Sequence, residues 1–85
     1  MPYISDENRL TLRQIKERHR LSTIAVAAIA DVSPSLVYDM ERGMMLSARD
    51  IYKILSALSR VTGEKYNRET VGGYWVAGDE SAVEF

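Results

Sequence analysis

The sequence predicts an all-α fold: a compact unit of four to five helices closed by a short irregular or extended C-terminal segment. Three observations predict it. Helix-start signals stand at Thr11, Ser22, Ser33-Pro34 and Ser47, each offering a hydroxyl to the amides that a first helical turn leaves exposed. Apolar residues behind these signals recur three and four apart rather than alternating. The connections are three to five residues long, short enough to bring consecutive helices together.

The first helix is read over residues 11–19, where Leu12 and Ile15 share a face amid Arg13, Gln14, Lys16, Glu17 and Arg18. Thr11 and Gln14 have the spacing of a capping box, and Ser5 or Asp6 offers an earlier start. Ser22 opens a second helix over residues 23–30, short and almost wholly apolar. Ser33 then caps a third, with Pro34 at the first helical position, where its missing amide costs nothing. Gly43 stops that helix after Arg42, and Val37 and Met40 stand about one turn apart inside it. Ser47 opens a fourth helix, whose stripe of Ile51, Ile54, Leu55 and Leu58 carries it to about Ser59. Beyond Gly63 the signal weakens. Residues 67–71 suit one capped turn ended by Gly72-Gly73, Tyr74-Trp75-Val76 is β-prone, and the tail 78–85 is acidic and expected to be mobile. The division is therefore a helical domain over residues 1–71 and an aromatic and acidic segment over 72–85.

Composition narrows the function. With 85 residues there is room for one small core, and 46% apolar with 27% charged residues is ordinary for a folded globular domain. Cysteine is absent, which excludes disulfides, thiolate metal sites and cysteine nucleophiles. His19, the single histidine, has no second ligand at helical spacing and reads as a surface residue. No Gly-rich phosphate loop and no carboxylate pair in an apolar cleft points to catalysis, so neither an enzyme nor a cofactor is expected. No run approaches the roughly 20 apolar residues of a membrane helix, so no membrane partner and a cytoplasmic location are expected. Net charge is −1. Residues 1–60 hold nine Lys/Arg against seven Asp/Glu, and residues 61–85 two against five, so the acidity lies in the C-terminal quarter.

From Leu12 to Leu58 the chain resembles the lambda-repressor-like, Xre-type helix-turn-helix family. The resemblance rests on Leu21-Ser22-Thr23, on Val26-Ala27 followed by residues 31–37 (Asp-Val-Ser-Pro-Ser-Leu-Val), and on Met40-Glu41-Arg42-Gly43. Ala27 is small where two helices cross, the turn follows at once, and Val32 and Val37 fall where the helices share a core. The resemblance implies a homodimeric transcriptional regulator, a repressor, bound to double-stranded DNA with the third helix in the major groove. It also implies DNA contacts from Ser22, Thr23, Ser33, Pro34, Ser35, Tyr38, Asp39 and Arg42. Among these, Thr23 and Arg42 would meet phosphates, while Ser35, Tyr38 and Asp39 would face the bases. Glu41 aligns with a family glutamate that pairs with helix one, here through Lys16.

Several positions depart from the family. Thr23 stands where Gln is frequent, Pro34 where a polar base reader is frequent, and Met44-Met45 fill a loop that is often basic. Ser22, Ser33 and Ser47 have a complete role as caps, which does not exclude a place beside the DNA backbone. Tyr38 either meets a thymine methyl or covers the turn. The basic residues of helix one, Arg9, Arg13, Lys16, Arg18 and Arg20, form either a solvated face or a phosphate-facing flank. Ile24, Ala28 and Ile29 are apolar where the family is polar, and together with Tyr74, Trp75 and Val76 they are candidate contacts to a partner. The C-terminal aromatic segment covers either its own subunit or a twin. The alternative function is a protein-interaction module on the same fold, antitoxin or anti-repressor-like, with weak DNA reading. The acidic pI, Asp39, the methionine loop and the apolar second helix favour that alternative.

Overall fold

Four helices carry the core, and short strands tie their ends together. The computed structural model describes residues 3–77. In chain order it comprises β1 (Tyr3–Ile4), β2 (Leu10–Thr11), α1 (Leu12–His19), α2 (Thr23–Ala30), α3 (Pro34–Glu41), β3 (Met45–Ser47), α4 (Ala48–Thr62), β4 (Val71–Gly72) and β5 (Tyr74–Ala77). The acidic tail 78–85 lies outside the described residues.

The expected all-α class is overturned. About 52% of the described residues are helical and 17% lie in strands, arranged as a mixed three-stranded sheet β1-β5-β3 and a parallel pair β2-β4, so the fold is alpha/beta. Each strand is only two to four residues long, too short for a period of two to be recognised in the sequence. The partners are far apart in sequence, with Tyr3 beside Trp75 in antiparallel register and Met45 beside Trp75 in parallel register. Residues 72–77 thus complete a sheet whose other strands come from the first 47 residues.

The helices form for local reasons. Thr11 and Gln14 close the capping box, with the Gln14 amide donating to Thr11 Oγ1 at 3.2 Å and the Thr11 amide to Gln14 Oε1 at 2.9 Å. That start excludes an earlier one at Ser5 or Asp6, because residues 5–9 turn instead, with the Glu7 amide donating to Ser5 Oγ and the Arg9 amide to the Asp6 carbonyl. Ser22, Ser33 and Ser47 each accept an amide from the first turn of α2, α3 and α4. Gly43, at φ +76°, ends α3 in the left-handed conformation that a side chain would oppose. Helix α4 continues three residues past the expected Ser59. The Ser59 and Thr62 hydroxyls bond back to the Leu55 and Leu58 carbonyls, so neither residue breaks the helix.

The core joins both halves. Leu12 and Ile15 of α1, Val26 and Ala27 of α2, and Val37 and Met40 of α3 close on the α4 stripe of Ile51, Ile54, Leu55 and Leu58. Val71, Tyr74, Val76 and Leu46 are buried in the same cluster. Beside it the N-terminal segment passes so close to β4 that a Cβ on Gly72 would lie 2.0 Å from the Ser5 carbonyl oxygen. Only glycine permits that approach.

Candidate nucleic-acid interface

The site is built around the turn between α2 and α3. Helix α2 ends at Asp31, whose left-handed φ of 58° lets its amide and that of Val32 return to carbonyls of Ala28 and Ala27. Ser33 follows immediately as the cap of α3. Three residues therefore redirect the chain, and the α3 axis lies at 118° to that of α2, within the range of helix-turn-helix units. Ala27 is buried at the crossing, Val37 is buried beneath α3, and Val32 is partly buried against the core.

A polar joint beneath the helices holds the angle. Lys16 Nζ on α1 lies 2.5 Å from Glu41 Oε1 on α3 and also donates to the Thr23 hydroxyl on α2. Thr23 in turn donates to Glu41 Oε2 at 3.3 Å. The Lys16 and Glu41 side chains are only 15% and 13% exposed, so each charge is largely desolvated and needs the other. One residue from each of three helices thus meets in a single hydrogen-bonded cluster.

This arrangement sorts the candidate DNA contacts. Ser22, Ser33, Pro34, Ser35, Tyr38 and Arg42 are exposed, and Asp39 is half-buried. Thr23 does not fit the expected phosphate contact: it is 6% exposed and its hydroxyl is engaged within the joint. Exposed contact at that end of α2 belongs to Ser22. Arg42 is held by Asp39 within the same helix, so its guanidinium is shared before any ligand arrives. Arg20, just ahead of Ser22, is exposed and pairs with no side chain among the described residues. Arg13, by contrast, is loosely paired to Glu17 at 3.7 Å.

The candidate partner contacts divide as well. Ile24, Ala28 and Ile29 lie exposed on α2. Tyr74 and Val76 are fully buried and are corrected from partner contacts to core residues, because alternation along β5 turns them inward and only Trp75 outward. The Tyr74 hydroxyl has no hydrogen-bond partner. Burial pushes its pKa up to about 12, opposed by the positive charges of Arg68 and Arg9. His19 rests against Tyr66, with Nε2 and the phenolic oxygen 2.7 Å apart. Among the described residues no three His, Asp or Glu side chains group to hold a metal.

Compared with family models, curated proteins and solved structures, the chain matches none.

Two features escaped the sequence reading. Thr23 as the third member of the joint is not visible from spacing, because it depends on α1 and α3 converging at the start of α2. Tyr3, Met45 and Trp75 lie side by side across the sheet. Nothing local in the sequence signals this, since the burial of Leu46 alone among Met45, Leu46 and Ser47 appears only in the fold.

Proposed function

We propose that this chain is a sequence-specific DNA-binding transcriptional regulator, a cytoplasmic repressor of the lambda-repressor-like helix-turn-helix kind, acting as a homodimer. It works by binding rather than by catalysis. The observation that carries this reading is the 118° turn from α2 to α3, braced from below, which leaves Ser33, Pro34, Ser35 and Tyr38 exposed along one helix. A helix so presented fits the major groove, where Ser35 bonds base edges with little discrimination and Tyr38 meets thymine methyls. Ser22 and the nearby Arg20 supply phosphate contacts that fix register.

The test is a selection of bound duplexes from random oligonucleotides at two salt concentrations. A recurrent half-site motif and binding that weakens with salt are expected. Arg20→Ala should lower affinity across all sequences and reduce the salt slope by about one. No enriched motif, or binding indifferent to salt, would defeat the reading. The Asp39–Arg42 pair and the exposed Ile24 favour a second reading, a protein-interaction module on the same helices. That reading is supported if selection fails while a protein partner competes for the α2 surface.

A further inference from the structure

Along a sheet with one covered face, inward residues are apolar and outward residues are ordinarily polar. The three-stranded sheet departs from that rule on its outer side. Tyr3, Trp75 and Met45 are direct lateral neighbours in the β1–β5–β3 register, so their side chains leave the same face. They are 45%, 41% and 45% exposed, and Met44 beside them 53%. The Tyr3 and Trp75 rings touch at 4.8 Å between centroids. Next to this ridge an open hollow of about 460 Å³ is lined by Gly43, Met44, Met45 and Trp75. The next outward row is Ser47 beside Ala77.

We infer that this sheet face docks a second copy of the chain through a two-fold contact, in which the Tyr3–Trp75 ridge of each copy enters the methionine-lined hollow of the other. Three arguments select that occupant. A two-fold axis sets a patch against itself, so a charged patch would repel its twin. Every outward residue of these strands is uncharged. The same surface carries both a ridge and an adjoining hollow, the self-complementary shape that an isologous contact requires. The exposed parts of the four side chains amount to roughly 400 Å² per copy, a patch size associated with interaction sites and about half of what a standard partner surface contributes. An area of that size places the dimer in the weak, reversible class. Among the described residues no cation lines the ridge or hollow, which argues against nucleic acid as the occupant.

The inference rests on the proposed function in one respect only, the homodimer, and its test uses the full chain without DNA. Trp75 is the only tryptophan, so its emission reports this face directly. Sedimentation velocity from roughly 1 μM to roughly 500 μM should show monomer passing to dimer, with half-association on the order of 10 μM. The Trp75 emission maximum should shift to the blue over the same range. Met45→Lys should weaken association at least tenfold with unchanged circular dichroism, and Ile24→Lys on α2 should change it less than twofold. Monomer throughout with unshifted emission overturns the inference, as does a dimer that survives Met45→Lys or is lost in Ile24→Lys. If Met45→Lys does not fold, the concentration dependence of wild-type Trp75 emission decides alone. A monomer that still selects a half-site sinks this interface and the homodimer but leaves the DNA reading standing. A dimer through this face that selects no sequence sinks only the DNA reading.

Discussion

The two halves of the molecule share one apolar core, and each adds a different kind of contact to it. Under α1, α2 and α3 that core is joined by a polar cluster, in which the part-buried Lys16, Thr23 and Glu41 exchange directional hydrogen bonds. Under the sheet the joint is apolar, with Leu46, Val71, Tyr74 and Val76 buried against the helices. Directional bonds fix an angle, while burial supplies adhesion without specifying one. The polar joint lies where an angle matters, at the helices that present α3. The adhesive one closes the fold at its ends. Removing a member of the first should therefore leave an uncompensated charge, whereas trimming the second should leave a cavity.

The largest expected effect follows from that contrast. Glu41→Ala leaves the largely buried Lys16 ammonium without its counter-charge and should cost about 3 kcal/mol, a fall in melting temperature of over about 10 °C for a domain this small. Replacing all three members together, Lys16→Met, Thr23→Val and Glu41→Leu, should restore stability to within about 1 kcal/mol of wild type, because no polar group is then left unpaired. If the chain binds DNA as proposed, the triple variant should do so less well, since the apolar joint no longer selects one helix angle. In the sheet half, Leu46→Ala should cost about 2 to 4 kcal/mol by opening a cavity, and no second change of polarity should rescue it. Urea melts of the three variants check the comparison. A Glu41→Ala penalty below about 1 kcal/mol would make the joint an ordinary surface pair.

How far each half could be read from the chain follows the same division. The caps at Thr11, Ser22, Ser33 and Ser47 involve residues two to three apart, and the stop at Gly43 is a property of one residue. All of these are local and therefore legible. Lys16 and Glu41 were expected to meet only through the family resemblance, and the structure brings them together. Of the strands only the β tendency of Tyr74-Trp75-Val76 is legible, and it falls in β5; the pairing is not, because it lies in register. Trp75 faces out and Tyr74 in because of what β1 and β3 place beside them, and nothing within Tyr74-Trp75-Val76 states which alternate residue is covered. For the same reason Tyr74, Trp75 and Val76 read alike in the sequence, whereas the sheet divides them.

An intermediate effect concerns the face of α3. Asp39 holds Arg42, so on the proposed DNA-binding reading, in which Asp39 would also be repelled by phosphate, Asp39→Asn should free the guanidinium and raise affinity for a selected duplex about threefold to tenfold. Fluorescence anisotropy against that duplex measures it. Weaker binding would give Asp39 the opposite role, that of accepting a hydrogen bond from the cytosine amine.

In the sheet half, the Tyr74 phenol offers a pH-dependent test. In the folded protein its pKa is raised to about 12 from an ordinary 10.0, first of all by burial. The unfolded chain therefore loses this proton at lower pH than the folded one. The corresponding stability is complete below pH 10 and is lost as pH rises through about 12. Tyr74→Phe should flatten that alkaline fall relative to wild type. It should change stability at neutral pH by no more than about 1 kcal/mol, because the hydroxyl it removes has no partner. Urea midpoints for both proteins across the alkaline range give the difference. A large loss at neutral pH would show that the hydroxyl is bonded after all.

The smallest effect tests the turn itself. Asp31 occupies a left-handed conformation at φ 58°, which costs a side chain energy that glycine does not incur. Glycine, however, has more freedom to lose on folding. The two terms nearly cancel, and Asp31→Gly should alter stability by less than about 1 kcal/mol. Asp31→Val should destabilise by more than that, because a branched side chain resists this backbone. The useful readout is DNA affinity at matched stability. If the turn alone sets the 118° angle, Asp31→Gly should loosen binding. If the Lys16–Thr23–Glu41 joint sets it, affinity should hold while the Glu41 variants lose it. The second outcome is expected, since three hydrogen bonds across three helices constrain the angle more tightly than one residue's φ.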